Sequence, residues 1–414
     1  MITAKTTSET DYWIRGLWTE LQRVTEALGC DSDGFNSTMG ILLSGGLDSS
    51  LVASMTLYTA PDLKLVSYSI DYGDGTESEL GMARKVAEYL GMEFRVVKLD
   101  ADTVIQDLEY LQRIYDEPMV KFTFIPTYYL AKEAAKDIKV LLTGDGGDEL
   151  FIGYRRDYWE DPVVIRLLSK MGMFRKPILG IGRQLCVPLT NLTGSKMLAL
   201  ATELFTRENA THPEWQYRVA SRVCQPYFSD EELVGLLGPK HTPMVNSSIA
   251  DAIQRAEATN NIDKLSHTMI GTRMADDLLR LEKAALATGL EIRSPLLDAS
   301  MINFALSIPV EIRYQQGITK YLLRKLINDY GLLPPEITAN MSKAGLTAPI
   351  QKWLIDARYR DYFGELLESG VRALGIDREY VKRVYPPRTF TQALKAWALV
   401  GMSLWVRTML DDRR

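Results

Sequence analysis

The sequence predicts an α/β protein: a doubly wound, mostly parallel, Rossmann-like sheet followed by a C-terminal helical region. Three observations predict it. Through residues 1–155 apolar runs of strand length alternate with helical patterns; two glycine-rich loops each follow such a run; and near Asp157–Pro162 the strand signal stops. Beyond that point helical periodicity is broken only by Pro and Gly, without strong alternation of period two, so the rest of the chain reads as helical.

Taken in order, residues 1–37 read as a helical extension. Strand candidates follow at Met39–Leu43, Leu65–Ile70, Phe94–Leu99 and Ile138–Leu142, with helical patterns between them at Ser49–Tyr58, Glu77–Leu90 and Pro126–Lys136. Strands alternating with helices imply parallel pairing with both sheet faces covered. In such sheets ligands bind beyond the carboxyl ends of the strands, where strand order reverses. Both glycine-rich loops lie at such ends, so one mouth can hold both.

Composition bounds the function. The chain has 414 residues, 46% apolar and 24% charged, which is ordinary for a globular enzyme of two domains. Its net charge of −5 favours no nucleic-acid surface. The start, with Lys5, Glu9, Asp11 and Arg15, lacks an uninterrupted apolar segment, and no apolar run of membrane-spanning length occurs, so a cytoplasmic protein with no membrane partner is expected. Cys30, Cys186 and Cys224 are too scattered for a zinc cluster or redox pair and read as buried thiols. His212, His241 and His267 share no ligand spacing, and Leu167–Pro188, basic but interrupted by Pro177, Gly180 and Gly182, reads as a solvated helix pair.

The chemistry concentrates in the two loops. In Ser44-Gly45-Gly46-Leu47-Asp48-Ser49-Ser50 the glycines let backbone approach a phosphate, the serines add hydroxyls, and the helix start supplies unpaired N–H groups. This is not the common P-loop, because Asp48 stands where that motif needs lysine. Thr143-Gly144-Asp145-Gly146-Gly147-Asp148-Glu149 places three carboxylates at a strand end, where their charge is costly unless a cation sits there; Mg2+ on a nucleotide is the natural candidate.

The first loop resembles the pyrophosphate loop of the PP-loop ATP pyrophosphatase superfamily. The resemblance widens with Asp116-Glu117-Pro118, Ile125-Pro126-Thr127-Tyr128, the stretch Val140–Tyr154, Asp276-Asp277-Leu278-Leu279 leading to Leu290–Asp298, Gly317–Arg324 and Ser342–Pro349. Over roughly residues 38 to 355 these blocks look like the synthetase domain of asparagine synthetases, in that family's order. The resemblance implies a PP-loop ATP-binding domain over 38–157 and a helical domain over 158–414 that completes the synthetase site.

It also implies ATP and Mg2+, an acyl-adenylate formed from a carboxylate, and displacement of AMP by a nitrogen nucleophile. Asp48 and Asp148 match the family's metal ligands; Ser44, Gly45, Gly46 and Ser49 match the loop around pyrophosphate; Leu42, Ile70 and Gly144 match positions enclosing adenosine. Lys343 matches the lysine near the α-phosphate and reacting carbonyl, and Lys320 a second phosphate-side lysine. Asp145 and Asp277 fall where the family handles the incoming nitrogen. Many asparagine synthetases carry glutamate, and β-lactam synthetases tyrosine, where this chain has Asp145, and Asp277 also reads as a helix N-cap or first-turn residue.

The family's glutaminase begins with a cysteine after the initiator methionine, whereas this chain has Ile2. The expected function is therefore an ATP-dependent, AMP-forming amide synthetase joining a carboxylate-bearing small molecule or peptide to ammonia or an amine, with a separate glutaminase or a carrier protein as partner. Intramolecular amide closure of the β-lactam or lasso-peptide type is the second reading, and a non-catalytic nucleotide-binding subunit the third. Retention of Asp48, Asp148, Lys320 and Lys343 argues against the third, since binding alone needs fewer charged groups.

Overall fold

The computed structural model describes residues 3–29, 38–73, 77–154, 227–228, 230–238, 251–256, 261–315, 318–340 and 346–409. The chain divides into two compact units: Met1–Gly153 with Tyr227–Pro243 and Met274–Arg414, and Tyr154–Pro226 with Met244–Arg273. The larger unit opens with α1 (Thr3–Glu26), β1 (Thr38–Leu42), α2 (Leu47–Thr59), β2 (Lys64–Asp71) and α3 (Glu77–Tyr89). It continues through β3 (Glu93–Lys98), α4 (Ala101–Tyr115), α5 (Phe124–Ala134), β4 (Val140–Leu142) and the short α6 (Gly147–Leu150). The strands and helices expected here are present with ends shifted by no more than two residues. α4 was not expected, although Asp100 caps it by accepting from Thr103 N–H at 2.8 Å, and Val104, Leu108, Leu111 and Tyr115 form its buried stripe.

The larger unit resumes with α7 (Asp230–Leu237). In the smaller unit, α8 (Asn261–Gly271) buries Leu265 and Met269, and the Arg273 guanidinium lies 4.7 Å from the centre of the Tyr154 ring. Next come α9 (Arg273–Thr288), β5 (Glu291–Arg293), α10 (Ala299–Ser307), α11 (Val310–Arg313), α12 (Tyr321–Tyr330) and α13 (Pro335–Ala339). The chain closes with α14 (Ile350–Ile355), α15 (Arg360–Leu374), α16 (Arg378–Val384) and α17 (Phe390–Met409).

All strand pairings are parallel, in the order β3-β2-β1-β4-β5. β1 pairs with β2 on one side and with β4 on the other, so strand order reverses between β1 and β4. The two glycine-rich loops follow those two strands. The crevice at the switch point is therefore flanked by both, as α/β topology requires for a ligand site. β5 is a short strand contributed by the region that otherwise reads as helical: Val140 pairs with Glu291 and Leu142 with Arg293, in a strand too short to show alternation.

The core explains why these segments settle as they do. β4 is buried throughout, and α2 is buried from Leu47 to Thr56 apart from Asp48, so neither has a solvent face to show as periodicity. α1 is amphipathic and buries Ile14, Leu17, Leu21 and Val24, each contributing roughly 2 kcal/mol by leaving water. α17 enters the same unit as the sheet: Trp397 is fully buried and its indole N–H donates to the Met119 carbonyl at 3.2 Å. No helix among the described residues is long and apolar enough to cross a membrane.

Candidate active site

The first loop is folded on itself by its own serines. Ser44 Oγ accepts from Gly46 N–H at 3.2 Å and lies 3.2 Å from Ser49 Oγ, which in turn lies within reach of the Ser44 N–H at 3.4 Å. Gly45 adopts φ +72°, and Ala83 N and Met82 leave no space for a Cβ, so both the backbone conformation and the packing call for glycine there. Gly46 is the N-cap of α2 and offers no side chain to the helix's first N–H groups. That end keeps its donors and partial positive charge available to an anion.

The second loop interlocks with the first through its glycines. A Cβ at Gly144 would stand 2.4 Å from Ser49 N, and one at Gly147 would stand 2.3 Å from Asp48 Oδ1. These glycines therefore serve the approach of loop to loop, a role that reading each motif separately does not reveal. Arg313, fully buried, donates from Nη1 to the Leu150 carbonyl at 2.9 Å and fixes the end of α6.

Lys320 brings the two halves of the site together. Its ammonium forms ion pairs with Asp48 Oδ2 and, at 2.8 Å, with Asp148 Oδ1, and the residue is only 5% exposed. The backbone there is strained: Lys320 and Ile152 both have positive φ, 54° and 57°, and the Lys320 N–H donates to the Phe151 carbonyl at 3.1 Å. Gly153 makes the crossing possible, since a Cβ there would meet Asp148 Oδ1 and Lys320 Cε at about 2 Å. Arg324 braces the turn, donating from Nε to the Thr319 carbonyl at 2.8 Å and from Nη1 to the carbonyls of Thr338 and, at 3.1 Å, Asn340. Burial lowers the Arg324 pKa below the ordinary arginine value, against the pull of the nearby Asp48 charge.

A second charged cluster holds Asp145 and Asp277. Arg280 donates from Nη2 to Asp145 Oδ1 at 2.5 Å and from Nη1 to Thr127 Oγ1 at 2.9 Å, and its Nε lies 3.6 Å from Asp277 Oδ1. Lys121 Nζ lies 3.3 Å from both Asp276 Oδ2 and Asp277 Oδ1. Burial works to lower the Arg280 pKa, but Asp145 and Asp277 outweigh it and hold the guanidinium above its ordinary value. Because α9 begins at Arg273, Asp277 lies in its second turn, which removes the cap reading. Two of the three carboxylates in the second loop are met by protein cations: Asp148 by Lys320 and Asp145 by Arg280.

Of the residues singled out from sequence, Ser44, Gly45, Gly46, Asp48, Ser49, Gly144, Asp148 and Lys320 converge on the interlocked loops. Asp145 and Asp277 meet through Arg280. Leu42 and Ile70 are half-buried at the carboxyl ends of β1 and β2. Lys343, Cys30, Cys186, Cys224, His212, His241 and Leu167–Pro188 lie outside the described residues. Arg280, Arg324, Lys121 and Thr127 were not foreseen. Arg324 and Thr127 lay inside quoted blocks, and the signal for Arg280 was its i+3 spacing from Asp277 on one helix face.

The donor set suits Mg2+ carried by a polyphosphate. One ammonium touches both Asp48 and Asp148, so one cation can do so; Asp48 Oδ1 is buried with no hydrogen-bond partner among the described residues. No cluster of three or more His, Cys, Asp or Glu side chains placed for a metal occurs among the described residues. Remaining ligands would come from phosphate and water, as Mg2+ prefers.

Comparison with known proteins bears directly on this arrangement. Residues 35–407 match the family model described as asparagine synthase. A glutamine-hydrolyzing asparagine synthetase of Bacillus subtilis (strain 168) is 28% identical over 400 residues, covering 91% of this chain and 57% of that protein. Those of Gallus gallus and Rattus norvegicus are each 25% identical, over 85% and 76% of this chain and 46% and 41% of theirs. The chain spans about half the length of the curated relatives it matches. With most of its length inside the family model, the chain belongs to the asparagine synthase family.

Proposed function

We propose that the chain is an ATP-dependent, AMP-forming amide synthetase that adenylates a carboxylate and transfers the acyl group to ammonia or an amine. The observation that carries the reading is the Asp48–Lys320–Asp148 cluster at the N-terminus of α2, between two glycine loops at the topological switch point. A helix start, two carboxylates and a lysine together suit a metal-bound triphosphate, whereas simple anion binding would gain nothing from the carboxylates.

In the first half-reaction an oxygen of the acid attacks the α-phosphorus, the bond from that phosphorus to the bridging oxygen breaks, and pyrophosphate leaves. Gly45, Gly46, Ser44 and Ser49 hold the departing group, with Leu42, Ile70 and Gly144 around the adenosine. Asp48 and Asp148 would hold Mg2+, which when bound would supply charge neutralisation at the phosphates. Lys343 supplies positive charge at the α-phosphate and carbonyl. In the second half-reaction nitrogen attacks the acyl carbon, the carbon–oxygen bond to AMP breaks, and Asp145 with Asp277 orients the amine and takes its proton. Arg280 keeps these two carboxylates together.

A screen of candidate acids for pyrophosphate release, with and without ammonium and amines, tests the reading. Release of AMP and pyrophosphate that depends on Mg2+ and on one acid is the expected result. ADP and phosphate as products would overturn it.

A further inference from the structure

We infer that Lys320 is a placeholder cation, occupying the Asp48 and Asp148 oxygens until nucleotide arrives, so that the divalent metal enters with ATP and not before it. The inference rests on the nucleotide reading above. Two carboxylates that reach the same point in a largely buried site are costly without a counter-charge, and the Lys320 ammonium supplies one by contacting both. A Mg2+ ion bound at about 2.1 Å to the same oxygens would then sit against that ammonium. At such separations like charges repel strongly even under surface-like screening. Metal and ammonium exclude each other unless the lysine has another partner, and a β- or γ-phosphate oxygen is such a partner.

The local structure confines that exchange to the side chain. The Lys320 backbone is held by the Phe151 and Ile152 carbonyls at 3.1 and 3.4 Å, and Arg324 holds the preceding carbonyl at 2.8 Å. Gly153 leaves only a narrow passage for the lysine stem. A flexible four-carbon stem on a fixed pivot can transfer its charge from carboxylate to phosphate without loop movement.

Equilibrium dialysis with Mn2+ as probe, with and without α,β-methylene-ATP, tests this on the full chain. Wild type should take up Mn2+ poorly alone and well with the nucleotide. Lys320→Met should bind Mn2+ alone about tenfold or more tighter than wild type, and adding Asp48→Asn should remove the gain. Nucleotide-dependent uptake by wild type without a gain in folded Lys320→Met overturns the placeholder alone. Uptake neither by wild type with nucleotide nor by the variant without it overturns the nucleotide reading as well. Should Lys320→Met fail to fold, as a melting curve would reveal, wild type still decides: micromolar Mn2+ binding without nucleotide overturns the inference.

Discussion

Replacing Gly144 with alanine probes the interlock of the two loops without touching any charged group. The new Cβ would stand 2.4 Å from Ser49 N and 2.8 Å from the Asp48 carbonyl carbon, both backbone atoms, so no rotamer change relieves it. Restoring a tolerable 3.0 Å approach requires a shift of about 0.6 Å. α2 cannot recede, because Leu51, Val52, Ala53 and Met55 are buried behind it, and β4 is paired on both sides. The displacement therefore falls on the loop carrying Asp145 and Asp148. Overpacking of this kind costs about 1–3 kcal/mol, and misplacement approaching 1 Å costs up to about 10²-fold in rate. Acid-dependent exchange of labelled pyrophosphate into ATP should fall roughly tenfold to a hundredfold, with a lowered melting temperature. Gly81→Ala is the control: it lies in α3 with nothing near its Cβ, and should be neutral or stabilising by about 1 kcal/mol. Wild-type exchange and melting in Gly144→Ala would refute the interlock.

Four further outcomes are expected. Asp48→Asn should slow exchange by on the order of 10²-fold and raise the Mg2+ needed for half-maximal rate; an unchanged Mg2+ dependence would remove Asp48 as a ligand. Arg280→Met leaves Asp145 and Asp277 without their shared guanidinium, so chemical denaturation should report a loss of about 3 kcal/mol. Asp145→Asn should retain exchange yet make little amide, whereas equal loss in both assays would mean that Asp145 only shapes the loop. Lys343→Ala should damage exchange and amide formation together, by about 10²- to 10³-fold, and selective loss of amide alone would assign it to the second half-reaction.

What could be read from sequence was what is local. The first loop carries its chemistry within seven consecutive residues, and the sheet's long strands carry theirs in apolar runs, so both were legible. The ion pairs that those groups make were not. Lys320 lies 272 residues from Asp48, and Arg280 lies 135 from Asp145, distances over which no periodicity speaks. β5 escaped because a strand of three residues has no pattern, and it is a strand only because β4 offers an open edge. α4 is different: its Asp100 cap and its apolar stripe of Val104, Leu108, Leu111 and Tyr115 are local signals that the sequence does carry.

The seating of α17 has a consequence for how the protein comes into being on the ribosome. Trp397 and Trp405 donate to the Met119 and Asp116 carbonyls, Gly401 lies against the Met119 backbone, and the Thr408 carbonyl accepts from Arg113. The segment they secure leads to Lys121, which faces Asp277. Strands β1 to β4 and the first glycine loop are synthesised well before α17, and the seam beside them stays open until α17 is translated. A nascent chain halted after β4 would expose the apolar seat of Trp397, so maturation of the charged site waits on α17 and not on folding of the sheet alone.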